Sequence, residues 1–361
     1  MSTTAPPTYW DYLALDRLLA LQQGLPGQPP SADELHFIVV HQAFELWFKL
    51  VISQLRLARD HLAAPVLPEE RVPFVVHHLG RVNEVLRLCV EQFRVMETLP
   101  PQDFLDFRDK LTPSSGFQSF QMREMEILLG LEETQRVRLG DTDPLQHIRG
   151  LAETSPAGAL AWGRIQAARG EESLRAALLR WLARTPIQGS QPGAPGDDAV
   201  VDGFLAEYLA QVEGHQRSVA KGLRTVLGEH ERGRIEARIE AGVAGTRAFL
   251  VPEDPAERRA RAALLFIESY RELPLLAWPR LLLDTVVELE EQILLFRNRH
   301  ARMVERTIGR RVGTGGSSGV EYLDKTTGYR VFPELWAVRT ALLPRAFLPP
   351  LRNAGMYGFA G

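Results

Sequence analysis

Apolar residues recur at helical rather than strand spacing along almost the whole chain. The clearest run is Leu282, Val286, Leu289, Ile293, Phe296, His300, Met303 and Thr307, each three or four residues from the last. Positions at that spacing share one helix face, so the stripe faces a core or a large apolar ligand. Nearer the start, Tyr9 to Gln23 reads as a short helix, ended by Gly24 and the Pro/Gly-rich LPGQPPS. Asp33 reads as the cap of a helix that runs through Phe37, Phe44, Phe48 and Val51 to Leu62, where Pro65 and Pro68 break it. Further helices are expected over 73–96, 104–111 and 118–131, with two or three charged ones between 201 and 272. No convincing run alternates with the period of a strand, and the expected fold class is all-α.

One stretch departs from this pattern. ARTPIQGSQPGAPGDDA, 183–199, has the composition of a flexible surface loop. Length alone would suit about two domains, but helix resumes on both sides of this loop with similar patterning. A single domain over 1–361 is therefore expected.

Composition narrows the class without naming a chemistry. Apolar residues make up 45% of the 361 and charged residues 24%, as in ordinary soluble globular proteins. A net charge of −3 argues against nucleic acid as the main partner, which demands a basic face. The single cysteine, Cys89, leaves no disulfide within the chain and no CxxCH motif. MSTTAPPTYWDY lacks the basic and apolar regions of a signal peptide. The apolar stretch from Phe37 to Ile52 is interrupted by His41, Gln42, Glu45 and Lys49, so no membrane span is expected. A cytoplasmic enzyme or binding protein fits these bounds.

Candidate chemistry sits at four places. His300, on its apolar stripe, is the best candidate metal ligand, with the Met303 thioether a weaker second; neutral imidazole is the usual protein ligand for haem iron. His41 lies four residues after Phe37 and so on the same helix face. It reads either as a core histidine bonded to a neighbouring helix or as a partner for a substrate or iron-bound ligand, with Glu45 and Lys49 spaced as an ion pair. Arg108, four residues after Phe104, could present its fork to a carboxylate beside two aromatics, or pair with Asp106 or Asp109. GTGGSSG, 313–319, follows a helix and lacks the lysine of a P-loop; it is either a nest of N–H groups for an anion or a hinge. His77 and His78 are adjacent and diverge on a helix, unlike a metal pair.

Taken in order, TYWDYLALDRLLALQ, DELHFIVVHQAFELWFKL, FLDFRDKLTPSSGFQSFQMRE and FRNRHARMVERTIGRRVGTGGSSGVEYLDKTTGYRVFPELW resemble the tryptophan 2,3-dioxygenase family. The resemblance covers roughly 9–131 and 278–345. It implies an all-α haem protein, a homotetramer whose N-terminal arm (1–23) is exchanged between subunits. It also implies ferrous haem b, O2 as co-substrate, and cleavage of the indole C2–C3 bond of L-tryptophan to N-formyl-L-kynurenine, the first step of the kynurenine pathway. By motif, His300 looks like the proximal iron ligand and His41 like the distal histidine near the indole N–H. Phe37 and Phe104 look like pocket walls, Arg108 like the carboxylate clamp and Thr314 like the contact for ammonium and carboxylate. Tyr9 and Tyr12 match a pair that reaches a neighbouring subunit's pocket. Phe104 stands where some members have tyrosine, and Val320 at a position often aromatic. Two alternatives remain: a haem monooxygenase of a modified aromatic amino acid on the same fold, and a non-catalytic helical interaction protein.

Overall fold

The computed structural model describes residues 6–112, 114, 116–138, 144–224, 228–311 and 319–358. Among them every regular element is helical, and pairing of β type is limited to two isolated bridges, Leu25 with Gln28 and Ile187 with Ser190. In order the helices are α1 (Tyr9–Leu13), α2 (Leu15–Leu18), α3 (Ala32–Ala63), α4 (Val72–Met96), α5 (Pro101–Arg108), α6 (Phe120–Leu129), α7 (Pro144–Ala152) and α8 (Pro156–Arg169). They continue as α9 (Leu174–Leu182), α10 (Asp197–Arg224), α11 (Glu229–Leu250), α12 (Pro255–Ser269), α13 (Ala277–Ile308), α14 (Gly319–Thr326) and α15 (Pro333–Ala341).

Three long helices carry the architecture. Helix α4 packs between α3 and α13, and α3 turns its other sides to α6 and α9. Their apolar stripes meet in one continuous core. Leu282, Val286, Leu289, Ile293, Phe296, Met303 and Thr307 of α13 are all buried, as their spacing requires; His300 alone on that stripe keeps some access to solvent. Among the described residues only α3 has the length and apolarity that crossing a membrane would need. The C-terminal part is pinned to α13 by buried Glu290, whose carboxylate accepts from the backbone N–H groups of Val331 and Phe332 and from the Trp336 indole N–H.

Several sequence expectations shift in detail. The cap of α3 is Ser31, whose hydroxyl accepts from the Glu34 N–H at 3.1 Å, rather than Asp33. Pro29 and Pro30 end just before it, so the helix starts at the first residue free of them; Asp33 then falls in the first turn, where its charge complements the free N–H groups. The N-terminal helix is broken in two at Ala14, which takes a left-handed φ of 49°.

The 183–199 stretch is not a loose excursion. Ile187 and Gln188 are buried, the Gly189 N–H donates to the Tyr357 hydroxyl at 2.8 Å, and Arg259 pairs with buried Asp197 at 2.6 Å. Gly189 has φ 81° and lies so close to Asn353 that any Cβ would come within 2.5 Å of it. Its turn residues are the means by which the chain closes back on the C-terminal segment.

Candidate active site

Helices α3 and α5 bring Phe37, His41 and Phe104 together, while α4 and α13 surround His300 with aromatics. On α3, Phe37, His41, Phe44 and Phe48 follow one another at helical spacing. The Phe37 and His41 rings lie 3.9 Å apart between centroids. Helix α5 starts at Pro101, whose missing N–H costs nothing in a first turn, and its eight residues carry Phe104, Phe107 and Arg108 against α3. Phe37 contacts Phe104 and Phe107, both at 5.8 Å. Arg108 ends α5, half-buried, one turn beyond Phe104.

His41 has its tautomer fixed by geometry. Its Nδ1 lies 2.8 Å from the Phe37 carbonyl oxygen, which can only accept, so Nδ1 carries the proton and Nε2 keeps its lone pair. The ring is open to water, yet burial by the surrounding protein holds its pKa below the usual histidine value. Both facts suit a side chain lining a recess. Glu45, one turn on, accepts from the Gln121 amide at 2.8 Å.

His300 lies in a ring of aromatics. Phe93 of α4 stacks on it at 5.5 Å with 12° between planes, and Phe296 stands 6.0 Å away. Phe44, Phe93 and Phe296 touch one another around it. Burial pushes its pKa down to about 4, helped by His41, Arg297 and Arg123, so the ring is neutral. Among the described residues His300 has no hydrogen-bond partner, and no three His, Cys, Asp or Glu side chains converge on a common point. Met303 is engaged elsewhere, its sulfur 3.8 Å from the Thr307 hydroxyl.

The chain matches the family model for tryptophan 2,3-dioxygenase over residues 2–342. The chain belongs to the tryptophan 2,3-dioxygenase family. It is 45% identical to tryptophan 2,3-dioxygenase 2 of Ralstonia nicotianae over 98% of both chains. It is 45% identical to tryptophan 2,3-dioxygenase of Sorangium cellulosum over 99% of this chain and 88% of that one. The Anopheles gambiae tryptophan 2,3-dioxygenase is 35% identical over 98% and 90%. This places the protein among the oxidoreductases, as a dioxygenase acting on tryptophan.

Within this dioxygenase, Phe37, His41 and Phe104 are brought together, and His300 lies against Phe93 and Phe296, which Phe44 of α3 also touches. Thr314 lies outside the described residues. Tyr9 and Tyr12 are 69% and 81% exposed and are not brought to the site by their own chain. Their arm is nevertheless tied beside it: the Gln22 amide donates to the Gln42 side chain at 2.6 Å, and Gln42 returns a bond to the Leu21 carbonyl at 3.2 Å. Sequence reading missed Phe107, Phe44, Phe93 and Phe296 as a wall. Phe44 and Phe296 were visible as stripe positions, but nothing along the chain links Phe93 to His300.

Proposed function

We propose that this dioxygenase cleaves the indole C2–C3 bond of L-tryptophan with O2, yielding N-formyl-L-kynurenine, and that His300 holds its haem. The observation that supports this reading is two neutral histidines set among aromatics, His300 with no hydrogen-bond partner among the described residues and His41 with its Nδ1 proton held by the Phe37 carbonyl, which leaves Nε2 unprotonated. The donor set fits haem. An imidazole flanked by Phe93 and Phe296, with no hydrogen-bond partner among the described residues, would suit a metal that brings its remaining ligands in a flat apolar ring. When bound, ferrous haem supplies the activation of O2.

The chain's own residues then bind, orient and exclude water. Phe37, Phe104 and Phe107 offer an aromatic wall to the indole. The His41 Nε2 can accept from the indole N–H and so fix the ring's orientation, because its other nitrogen is already spent on Phe37. Indole is electron-rich, so orientation suffices and no strong base is required. Arg108, with Thr314, reads the amino-acid end: a planar guanidinium matches a carboxylate with two parallel bonds.

The active form in this proposal is a cytoplasmic homotetramer. Exposed Leu88 and Val95 of α4 and Trp278, Leu281 and Leu295 of α13 offer apolar surface for self-association. Exposed Tyr9, Trp10 and Tyr12 sit on α1, a helix too short to be stable alone, which favours docking on a neighbouring subunit.

The test is product mass. The reduced holoprotein is mixed with L-tryptophan under 18O2, and the expected product carries both labelled atoms. A product with one added oxygen would assign the chain to monooxygenation instead.

A further inference from the structure

One turn before His300, helix α13 enters a buried cluster of charges. The Glu126 carboxylate accepts from Arg297 at 2.8 Å and from Arg136 at 2.7 Å, and lies 3.1 Å from Arg123. Arg123 also donates to the Tyr322 hydroxyl at 3.2 Å, and the Arg297 guanidinium lies 4.5 Å over the Tyr329 ring. All four charged side chains are more than nine-tenths buried. Three guanidinium groups face one carboxylate. Among the described residues no other carboxylate pairs with them, which leaves two positive charges in excess. Among the described residues, Nε of Arg123, Arg136 and Arg297, and Nη2 of Arg136, have no acceptor.

This excess does not titrate away. The arginines keep Glu126 ionised, its pKa held at about 2 despite burial, and arginine does not deprotonate in proteins. Nor does stability alone account for it, because buried charge without full compensation is costly. Arg297 precedes His300 by three residues on the same helix, a spacing that sets Cβ atoms about 5–6 Å apart. In a buried setting such a charge acts over that range with little screening.

We propose that Arg297 and Arg123, fixed by Glu126, are positioning residues that raise the reduction potential of an iron bound at His300 and so favour its ferrous form. The proposal rests on the reading of His300 as the iron ligand. Positive charge beside a redox centre stabilises the state with one more electron, here ferrous over ferric, the electron coming from the reductant of the titration.

The experiment is a spectroelectrochemical titration of the holoprotein, wild type against Arg297→Gln, Arg297→Lys and Glu126→Gln. Arg297→Gln removes a positive charge and is expected to lower the midpoint potential. Arg297→Lys keeps the charge and is expected to recover most of that shift. Glu126→Gln removes the compensating negative charge and is expected to raise the potential. Equal shifts in the two Arg297 variants, or none in Arg297→Gln, would overturn the proposal, and this pair decides the matter even where Glu126→Gln does not fold. His300→Ala separates the two levels. If it keeps a wild-type haem spectrum the ligand assignment fails; if it loses that spectrum while Arg297→Gln leaves the potential unmoved, only the tuning role fails.

Discussion

Two neighbouring turns of α13 are built on opposite rules. At Arg297 the side chain is held by Glu126 at 2.8 Å and laid over Tyr329. At His300 the imidazole lies against the rings of Phe93 and Phe296 and has no hydrogen-bond partner among the described residues. The difference follows from what each group costs in a low-dielectric interior. A guanidinium cannot shed its charge and has to be met by a carboxylate; an imidazole can, and burial drives it neutral with its lone pair intact. The first turn is a structural anchor. The second leaves an imidazole without a hydrogen-bond partner among the described residues.

Breaking the anchored turn carries the largest expected effect on stability. Glu126→Gln leaves Arg123, Arg136 and Arg297 buried without a counter-charge, and losing one partner of a buried ionic group typically costs ~3–5 kcal/mol. Thermal or denaturant unfolding of the variant checks this; a midpoint equal to the wild type's would mean the cluster does not anchor α6 to α13. On the open side, Arg108→Leu should cost ~2–5 kcal/mol, roughly 30- to several-thousand-fold in kcat/KM for L-tryptophan, with haem content intact. It should also blunt discrimination against tryptamine, which lacks the carboxylate. A variant that still strongly prefers tryptophan places the clamp elsewhere.

The smallest effect belongs to His41. Loss of a single bond to the indole N–H should weaken catalysis by ~1–3 kcal/mol, so His41→Ala should retain measurable turnover. It should also handle 1-methyltryptophan, relative to tryptophan, no worse than the wild type does. Complete loss of activity with haem and substrate still bound would argue for an essential acid–base role instead.

The contrast between the two turns also explains what the sequence made legible. His300 stood out because an imidazole interrupts a long regular stripe, a signal carried entirely within α13. His41, Phe37 and Phe104 were singled out by the resemblance of their motifs to the family, each lying one helical turn from another candidate residue. The Glu126 cluster was not. Arg123 and Glu126 look like an ordinary i,i+3 surface pair, and the partner that buries them, Arg297, is 171 residues away. Phe93 joins the His300 wall only through the packing of α4 on α13. The 183–199 stretch misled because Gly and Pro mark turns whether a loop is free or, as here, pinned through Gly189, Gln188 and Asp197. At the N-terminus, periodicity from Tyr9 onward is real, but it does not show that Ala14 takes a left-handed turn and splits the helix.

The central claim is that the unbonded imidazole of His300 is the protein's ligand to iron. Replacing it tests the claim without depending on turnover. His300→Gly, purified and offered haem, should lack the wild-type Soret spectrum, and adding free imidazole should restore a five-coordinate ferrous spectrum as the small molecule fills the ligand's place. A variant that shows the wild-type ferrous spectrum before any imidazole is added would contradict the account, since another residue would then hold the iron.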